Sequence, residues 1–443
     1  MGILKKILQK AFGGSASNVF KGMKTLAIGS GIAKIIGILA IPILTRLYSP
    51  EDFGVLAIFT AIITMLAPII TLRYVLALPL PRHDGMAFNL LIFSACLMLF
   101  TCLIVTIFLW VFGGFILPIF SMEVLIPWWW LISLGILGTV SYEMLTLWAT
   151  RKRDYRAISK TNIGQSILGS FTKLLLGVLG IHPFGLLMGQ LVNQSGGSGS
   201  LLKTYNNDFK KNWRHLRWSR MRKMAWVHRG FPIYRVPSQF LLIFCQQAPL
   251  FFAAIVFSSE VTGQLSLALM ALVLPLSLIG GSMGKALYAE SAALGIKEAA
   301  KIHEMAKDVQ KKLLIVSIPA GLFLFFLGET VFTLAFGDEW IQAGQFASVL
   351  SFYIVFQFTS APLMQLMNLL ANQAAFLLIN ATRAVLIVLT FYLVYVFDLS
   401  PHEFVVSYSF LMSCFYIYIS FYIMRSVYKA GLKSSKDLVN VEK

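Results

Sequence analysis

Long apolar stretches alternate with short polar ones from one end of the chain to the other. Residues 53–72, 91–112, 124–142 and 404–424 each run without a charged side chain. The hydrocarbon core of a bilayer is about 30 Å thick and takes roughly 20 helical residues to cross, so each of these stretches predicts a membrane-spanning helix. Residues 340–382 are uncharged throughout and too long for one crossing, which predicts a helical hairpin turning at Asn372-Gln373. Residues 26–44, 161–180, 232–257, 263–287, 313–336 and 374–397 are apolar with a single charge each. These predict further spans, the last of them the second arm of the hairpin.

Residues 181–202 read two ways. The run Asn193-Gln194-Ser195-Gly196-Gly197-Ser198-Gly199-Ser200 has the composition of a linker. Charge favours a span instead. Arg151-Lys152-Arg153 and the basic run 210–229 both belong in the cytoplasm by the positive-inside rule, so an even number of crossings separates them. Gly185 and Gly189 then predict a face for close helix packing.

The expected fold is an all-α polytopic membrane protein with twelve transmembrane helices in two six-helix lobes around a central cavity. Residues 1–21 form an amphipathic cytoplasmic segment, 22–202 the first lobe, 203–230 a basic cytoplasmic linker, 231–426 the second lobe and 427–443 a cytoplasmic tail. The loops 49–52, 113–123, 181–183, 258–262, 337–339 and 398–403 lack Lys and Arg, and the opposite set is basic, which places both termini in the cytoplasm. Ile3 to Phe12 is too short and too interrupted by lysine for a cleavable signal.

Composition agrees. The chain of 443 residues is 58% hydrophobic and 13% charged, against about 25% charged in soluble domains. That excludes a soluble globular enzyme and a disordered chain. The net charge of +18 follows the loop asymmetry and implies no nucleic acid. Cys96, Cys102, Cys245 and Cys414 all lie in apolar runs with no CxxC pair, and the six His lack ligand spacing, so neither a disulfide, a metal nor another cofactor is expected.

Two short segments repeat. Ser49, Glu51 and Gly54 match Ser258, Glu260 and Gly263 at one constant offset, and Pro42 and Pro68 match Pro249 and Pro275. Two parallel six-helix repeats follow, an arrangement in which transporters hold substrate between the halves.

Ionisable residues inside spans cost about 2.5–3.5 kcal/mol at the bilayer centre on insertion scales, so each needs a reason. Lys34, Arg73 and Arg383 lie deepest. Lys173 is nearer the external side, and Arg235 and Lys285 lie near span ends where snorkelling also accounts for them. Polar stripes at helical spacing accompany them: Ser30 before Lys34; Asn162, Gln165, Ser166 and Ser170 before Lys173; Ser238, Gln239 and Gln246 after Arg235; Asn380 before Arg383. Gln357, Gln365, Asn368 and Asn372 add amides. Cations and amides suit an anion carrying many hydroxyls, such as a lipid-linked pyrophosphate sugar. Lys34, Arg73, Lys173, Arg235, Lys285, Arg383, Gln246 and Asn368 are therefore the candidate substrate contacts. Glu143 and Glu329 are the intramembrane carboxylates and the candidates for a coupling ion. The competing reading pairs Glu143 with Arg151 or Arg153.

Residues 24–82 resemble the start of bacterial polysaccharide and O-antigen flippases, in the multidrug/oligosaccharidyl-lipid/polysaccharide exporter superfamily. Leu44-Thr45-Arg46-Leu47-Tyr48-Ser49-Pro50-Glu51-Asp52-Phe53-Gly54 and Thr71-Leu72-Arg73-Tyr74 carry the resemblance. It continues in Gly185-Leu186-Leu187-Met188-Gly189-Gln190, Leu274-Pro275-Leu276-Ser277-Leu278-Ile279-Gly280 and Gly284-Lys285. The resemblance implies an inner-membrane protein that moves undecaprenyl-pyrophosphate-linked repeat units to the external leaflet, with cavity cations on the headgroup and other polysaccharide-assembly proteins as partners. Val75 stands where members often carry an acid, and Lys285 where many carry Gln. A cation-coupled drug exporter and a glycan polymerase or ligase are the competing functions. The first would want carboxylates in the cavity, the second a large external loop. Antiport of H⁺ or Na⁺ is expected, the entering cation binding Glu143 or Glu329 to help release the headgroup, and no P-loop is present to bind nucleotide.

Overall fold

A computed structural model describes residues 17–275, 280–295, 298–369 and 373–441, and every long element among them is helical. In chain order the helices are α1 Ser17–Leu44, α2 Pro50–Ile70, α3 Asp84–Ile119, α4 Trp130–Arg151, α5 Tyr155–Val178, α6 Phe184–Ser195, α7 Ser198–Trp213 and α8 Trp218–Val227. They continue with α9 Val236–Val256, α10 Ser259–Pro275, α11 Gly281–Leu294, α12 Ala299–Phe336, α13 Ile341–Met364, α14 Gln373–Val396 and α15 Pro401–Val441.

Among the described residues, 9 helices are long and apolar enough to cross a membrane, and each coincides with an expected span. The other three expected spans look different for physical reasons. Helix α5 carries its stripe of amides and hydroxyls on one face. Residues 181–202 are helical but divided at Gly196-Gly197 into α6 and α7, and α7 runs on to Trp213, beyond the expected end at 202. Residues 263–287 contain α10 and α11, with 276–279 between them outside the described residues. The expected segment 1–21 lies largely outside them too, as does the expected turn residue Asn372.

Large apolar side chains point outward along the spans: Trp110, Phe115, Phe326, Leu334 and Tyr395 are each at least 71% exposed. In water such surface would aggregate, whereas lipid solvates it. Cys96 and Cys414 also lie on exposed faces, whereas Cys102 and Cys245 are buried.

The chain divides into two compact units. The first contains residues 1–48 and 58–240, the second residues 49–57 and 241–443. In the first, α5 packs between α1 and α6. A Cβ on Gly169 would lie 2.9 Å from the Gly189 carbonyl oxygen, and one on Gly189 2.7 Å from that of Gly169, so only glycine allows the α5–α6 approach. Tyr48 closes this corner by donating to the Lys173 carbonyl at 2.7 Å. In the second unit, α13 packs on α10, α12 and α15. Ser360 of α13 bonds the Tyr416 carbonyl at 3.0 Å and the Ser420 hydroxyl at 2.7 Å, and Ser409 donates to the Val349 carbonyl at 2.8 Å. Such interhelical hydroxyl bonds replace the hydrophobic drive that lipid does not supply.

Candidate anion and ion sites

Helix α2 ends in a tight turn. Leu72 and Arg73 both adopt left-handed backbone, φ 46° and 58°, before a 3-10 turn at Tyr74–Ala77. Two consecutive non-glycine residues in this region cost energy, of order 1 kcal/mol or more each. The turn aims the Arg73 guanidinium at α4, where Nη1 donates to Glu143 Oε1 at 2.7 Å. The two side chains are 10% and 30% exposed. Arg73 Nε is buried with no hydrogen-bond partner. Glu143 is thus a partner of Arg73. It does not pair with Arg151, which instead donates to Asp84 and to the Leu78, Pro79 and Pro81 carbonyls.

Beside Glu143, Tyr142 contacts the Thr161 hydroxyl at 2.9 Å and donates to Asn162 Oδ1 at 2.8 Å. Asn162 in turn donates to Ser30 at 3.3 Å, and Ser166 to the Ala33 carbonyl at 2.6 Å. The stripes read on α1 and α5 therefore face each other. Lys34, one turn after Ser30, is exposed. Further along α5, Lys173 Nζ donates to Gln190 Oε1 at 2.8 Å.

In the second unit Arg383 of α14 is buried to 9% exposure. Its guanidinium carbon lies 5.7 Å from the centre of the Tyr416 ring. Tyr353 and Tyr408 complete a cage, the Tyr353 ring lying 5.6 Å from that of Tyr408 and 5.8 Å from that of Tyr416. Gln357 donates to the Tyr416 hydroxyl at 3.2 Å. No carboxylate among the described residues lies within ion-pair distance of Arg383, and its Nε has no hydrogen-bond partner. Buried guanidinium needs compensation, and here the Tyr416 π face supplies part of it. The tyrosines went unread in the sequence, since aromatic residues fill every span; a Tyr in place of Phe was their only signal.

The remaining candidates are dispersed. Arg235 is exposed at the end of a π-helical turn, Phe231–Arg235, and Gln246 is exposed on α9. Glu329 accepts from Gln345 at 3.2 Å. The side chains of Lys285 and Asn368 lie outside the described residues. Among the described residues no three His, Cys, Asp or Glu side chains gather as metal ligands would.

Known structures share this architecture. A lipid II flippase MurJ in an inward closed conformation superposes with a TM-score of 0.67 at 11% identity, covering 94% of this chain and 92% of that one. A multidrug resistance MATE family transporter in an inward-facing conformation gives 0.57 at 13% identity, covering 92% and 95%. A MATE in complex with MaL6 gives 0.55 at 15%, covering 93% and 96%. At such identities the likeness is one of fold. No curated protein matches the chain in sequence. Residues 43–345, more than half the chain, match the polysaccharide biosynthesis protein family. The chain therefore belongs to that family of polysaccharide biosynthesis proteins.

Proposed function

We propose that this transporter is a flippase for lipid-linked oligosaccharides, moving undecaprenyl-pyrophosphate-linked units from the cytoplasmic to the external leaflet by alternating access, for O-antigen or another surface polysaccharide. It sits in the bacterial inner membrane with both termini cytoplasmic. The supporting observation is that each unit carries a buried guanidinium whose Nε is unpartnered, Arg73 beside one carboxylate and Arg383 among tyrosines. A planar guanidinium with free donors is matched to phosphate oxygens. Lys34, Arg235 and Gln246 stand exposed to extend such contacts, Lys285 and Asn368 remain candidates from sequence, and Lys173 acts with Gln190.

Moving a headgroup of about two negative charges outward is favoured by the membrane potential, about 2.3 kcal/mol per charge per 100 mV. Release then needs the headgroup to leave Arg73, and Glu143 is placed to reclaim it. A proton or Na⁺ exchanged at Glu143, with Glu329 as the alternative, would couple transport to an ion gradient.

The second reading is a cation-coupled exporter of small molecules, favoured by the likeness to MATE transporters. Its weakness is that the charged residues buried among the described residues, Arg73 and Arg383, are both cations. The test is a cell that makes one defined glycan. Deletion should leave lipid-linked units on the cytoplasmic face, restored by the wild type. Units reaching the external face normally in the deletion strain would reject the proposal.

A further inference from the structure

The segment that joins α7 to α9 presents a face the protein itself does not cover. Trp213, Trp218 and Trp226 are 62%, 73% and 67% exposed. On α8, Trp218, Arg222 and Trp226 follow one another at four-residue spacing and form one stripe. Met221 and Met224 hold the other side of the helix, 5% and 7% exposed. Lys223 lies beside the stripe and is exposed, as are Arg214, Arg217 and Arg229. The Arg229 guanidinium stacks 3.9 Å over the Trp226 ring. No acidic residue occurs between Asp208 and Arg235.

The height of this face in the molecule is fixed by α3. Asn89 donates to the His215 carbonyl at 3.0 Å and accepts from the Arg217 amide at 3.0 Å, clamping the start of α8 to α3. Asn89 stands five residues after Asp84, the last charge before the uncharged stretch 85–122, about 7.5 Å along the helix axis. Tyr74 adds a second clamp by donating to the Ala225 carbonyl at 3.2 Å. A third constraint is covalent, because the next apolar span begins at Phe231. The stripe thus lies where spans leave the hydrocarbon, the depth at which Trp and Arg are most favourable.

We propose that this face binds the anionic phospholipid headgroups of the leaflet it adjoins, with Trp218 and Trp226 set into the interface and Arg222, Lys223 and Arg229 on lipid phosphates. Charge complementarity selects the occupant: a zwitterionic surface satisfies the tryptophans alone, whereas a run of cations with no acid between Asp208 and Arg235 calls for fixed negative charge. Each Lys or Arg near an anionic surface contributes roughly a fivefold preference, screened by salt.

The test uses the full chain in phosphatidylcholine vesicles with some phosphatidylglycerol, carrying a genetically encoded fluorophore in place of Ser219. Nitroxide-labelled phosphatidylglycerol or phosphatidylcholine is added at equal mole fraction. Both should quench, the glycerol lipid several-fold more efficiently, with the preference falling as salt rises. The triple variant R222Q/K223Q/R229Q should lose the preference while still being quenched, since the tryptophans remain. Quenching by neither lipid would place the face in water, free for a soluble protein, and overturn the proposal. Equal quenching of the wild type by both would overturn the anionic selectivity, and a preference that survives in the triple variant would overturn its assignment to these residues.

Discussion

Gly54 of α2 and Gly263 of α10 pack reciprocally. A Cβ on Gly54 would overlap the Ser259 carbonyl oxygen, and one on Gly263 would overlap that of Pro50. These are the two copies of the repeated segment, and they meet within the second unit, which includes residues 49–57. Phe53 adds an edge contact to the buried Trp340 at 5.0 Å between ring centroids. Gln264 fastens the same corner by donating to the Glu339 carbonyl at 2.6 Å and accepting from the Ala343 amide at 2.9 Å. Either G54A or G263A should cost about 1–3 kcal/mol of stability, the usual range for overpacking. Because both changes strain one contact, the double variant should cost less than their sum. Thermal unfolding in detergent is the measurement.

The Arg73–Glu143 pair should be unequal in its two halves. R73A leaves a carboxylate in a poorly solvated place, whereas E143Q leaves a neutral group that still accepts from Arg73. We expect R73A to lower stability by about 1–3 kcal/mol, discounted for the partial exposure of Glu143, and to abolish export. E143Q should fold near normally, and its export should lose dependence on an imposed ion gradient. Export and melting temperature measured on both variants decide this; retention of full gradient dependence in E143Q would remove Glu143 from the coupling step.

Arg383 should tolerate even lysine poorly. The tyrosine cage fits a planar guanidinium, so R383K keeps the charge but loses stacking and directional donors. Export should fall at least tenfold in R383Q and substantially in R383K, at equal membrane levels. If both variants export as the wild type does, Arg383 serves only interhelical packing.

A pH test concerns the helix start at Asp154. Asp154 accepts from the Ala157 amide at 3.1 Å, capping α5, and from the Tyr205 hydroxyl at 3.1 Å. Burial first, and then the adjacent carboxylate, raises the Tyr205 hydroxyl above its ordinary value of 10.0. A raised acid keeps its proton in the folded state, so this contribution is complete below pH 10 and is lost as pH climbs toward the folded value. Melting temperature should therefore fall more steeply above pH 10 in the wild type than in Y205F. D154A should cost about 1 kcal/mol through loss of the cap.

Orientation is tested by labelling. Single cysteines at Ser259 and Asp338 should react with an impermeant reagent outside the cell, and one at Asn207 should not. Reaction at Asn207 from outside would reverse the placement of the basic segment.

The spans were legible because uncharged stretches of twenty residues have few other uses, and Arg73 and Arg383 stood out because charge inside such stretches is rare. The polar stripes on α1 and α5 were legible through helical spacing, which brings Ser30, Asn162 and Ser166 into register. Partners were not. Glu143 lies 70 positions from Arg73, and only the left-handed turn at Leu72 and Arg73 brings them together. Nearness in sequence pointed instead to Arg151, whose carboxylate partner Asp84 is 67 positions away. The break at Gly196-Gly197 was visible as composition, but whether it ends a helix or bends one depends on its packing against Tyr142 and Thr161.

Helix α12 has 38 residues, about 57 Å of helix with Pro319 near its middle, and a bilayer core uses only about 30 Å of it. Its first half is charged, with Lys301 paired to Glu298 and Lys312 to Asp308, and so stands outside the lipid, where His303 lies 5.6 Å from the Tyr428 ring of α15. A helix held at its middle is a lever: tilt of the buried half swings the protruding half in the opposite sense, less whatever bend Pro319 takes up. Motion among the spans is thereby delivered to the aqueous side as a displacement of charge. Breaking the rod at the exposed Lys311 with proline should disconnect the two halves, at a cost of about 3 kcal/mol in helix stability, and slow transport without altering any span.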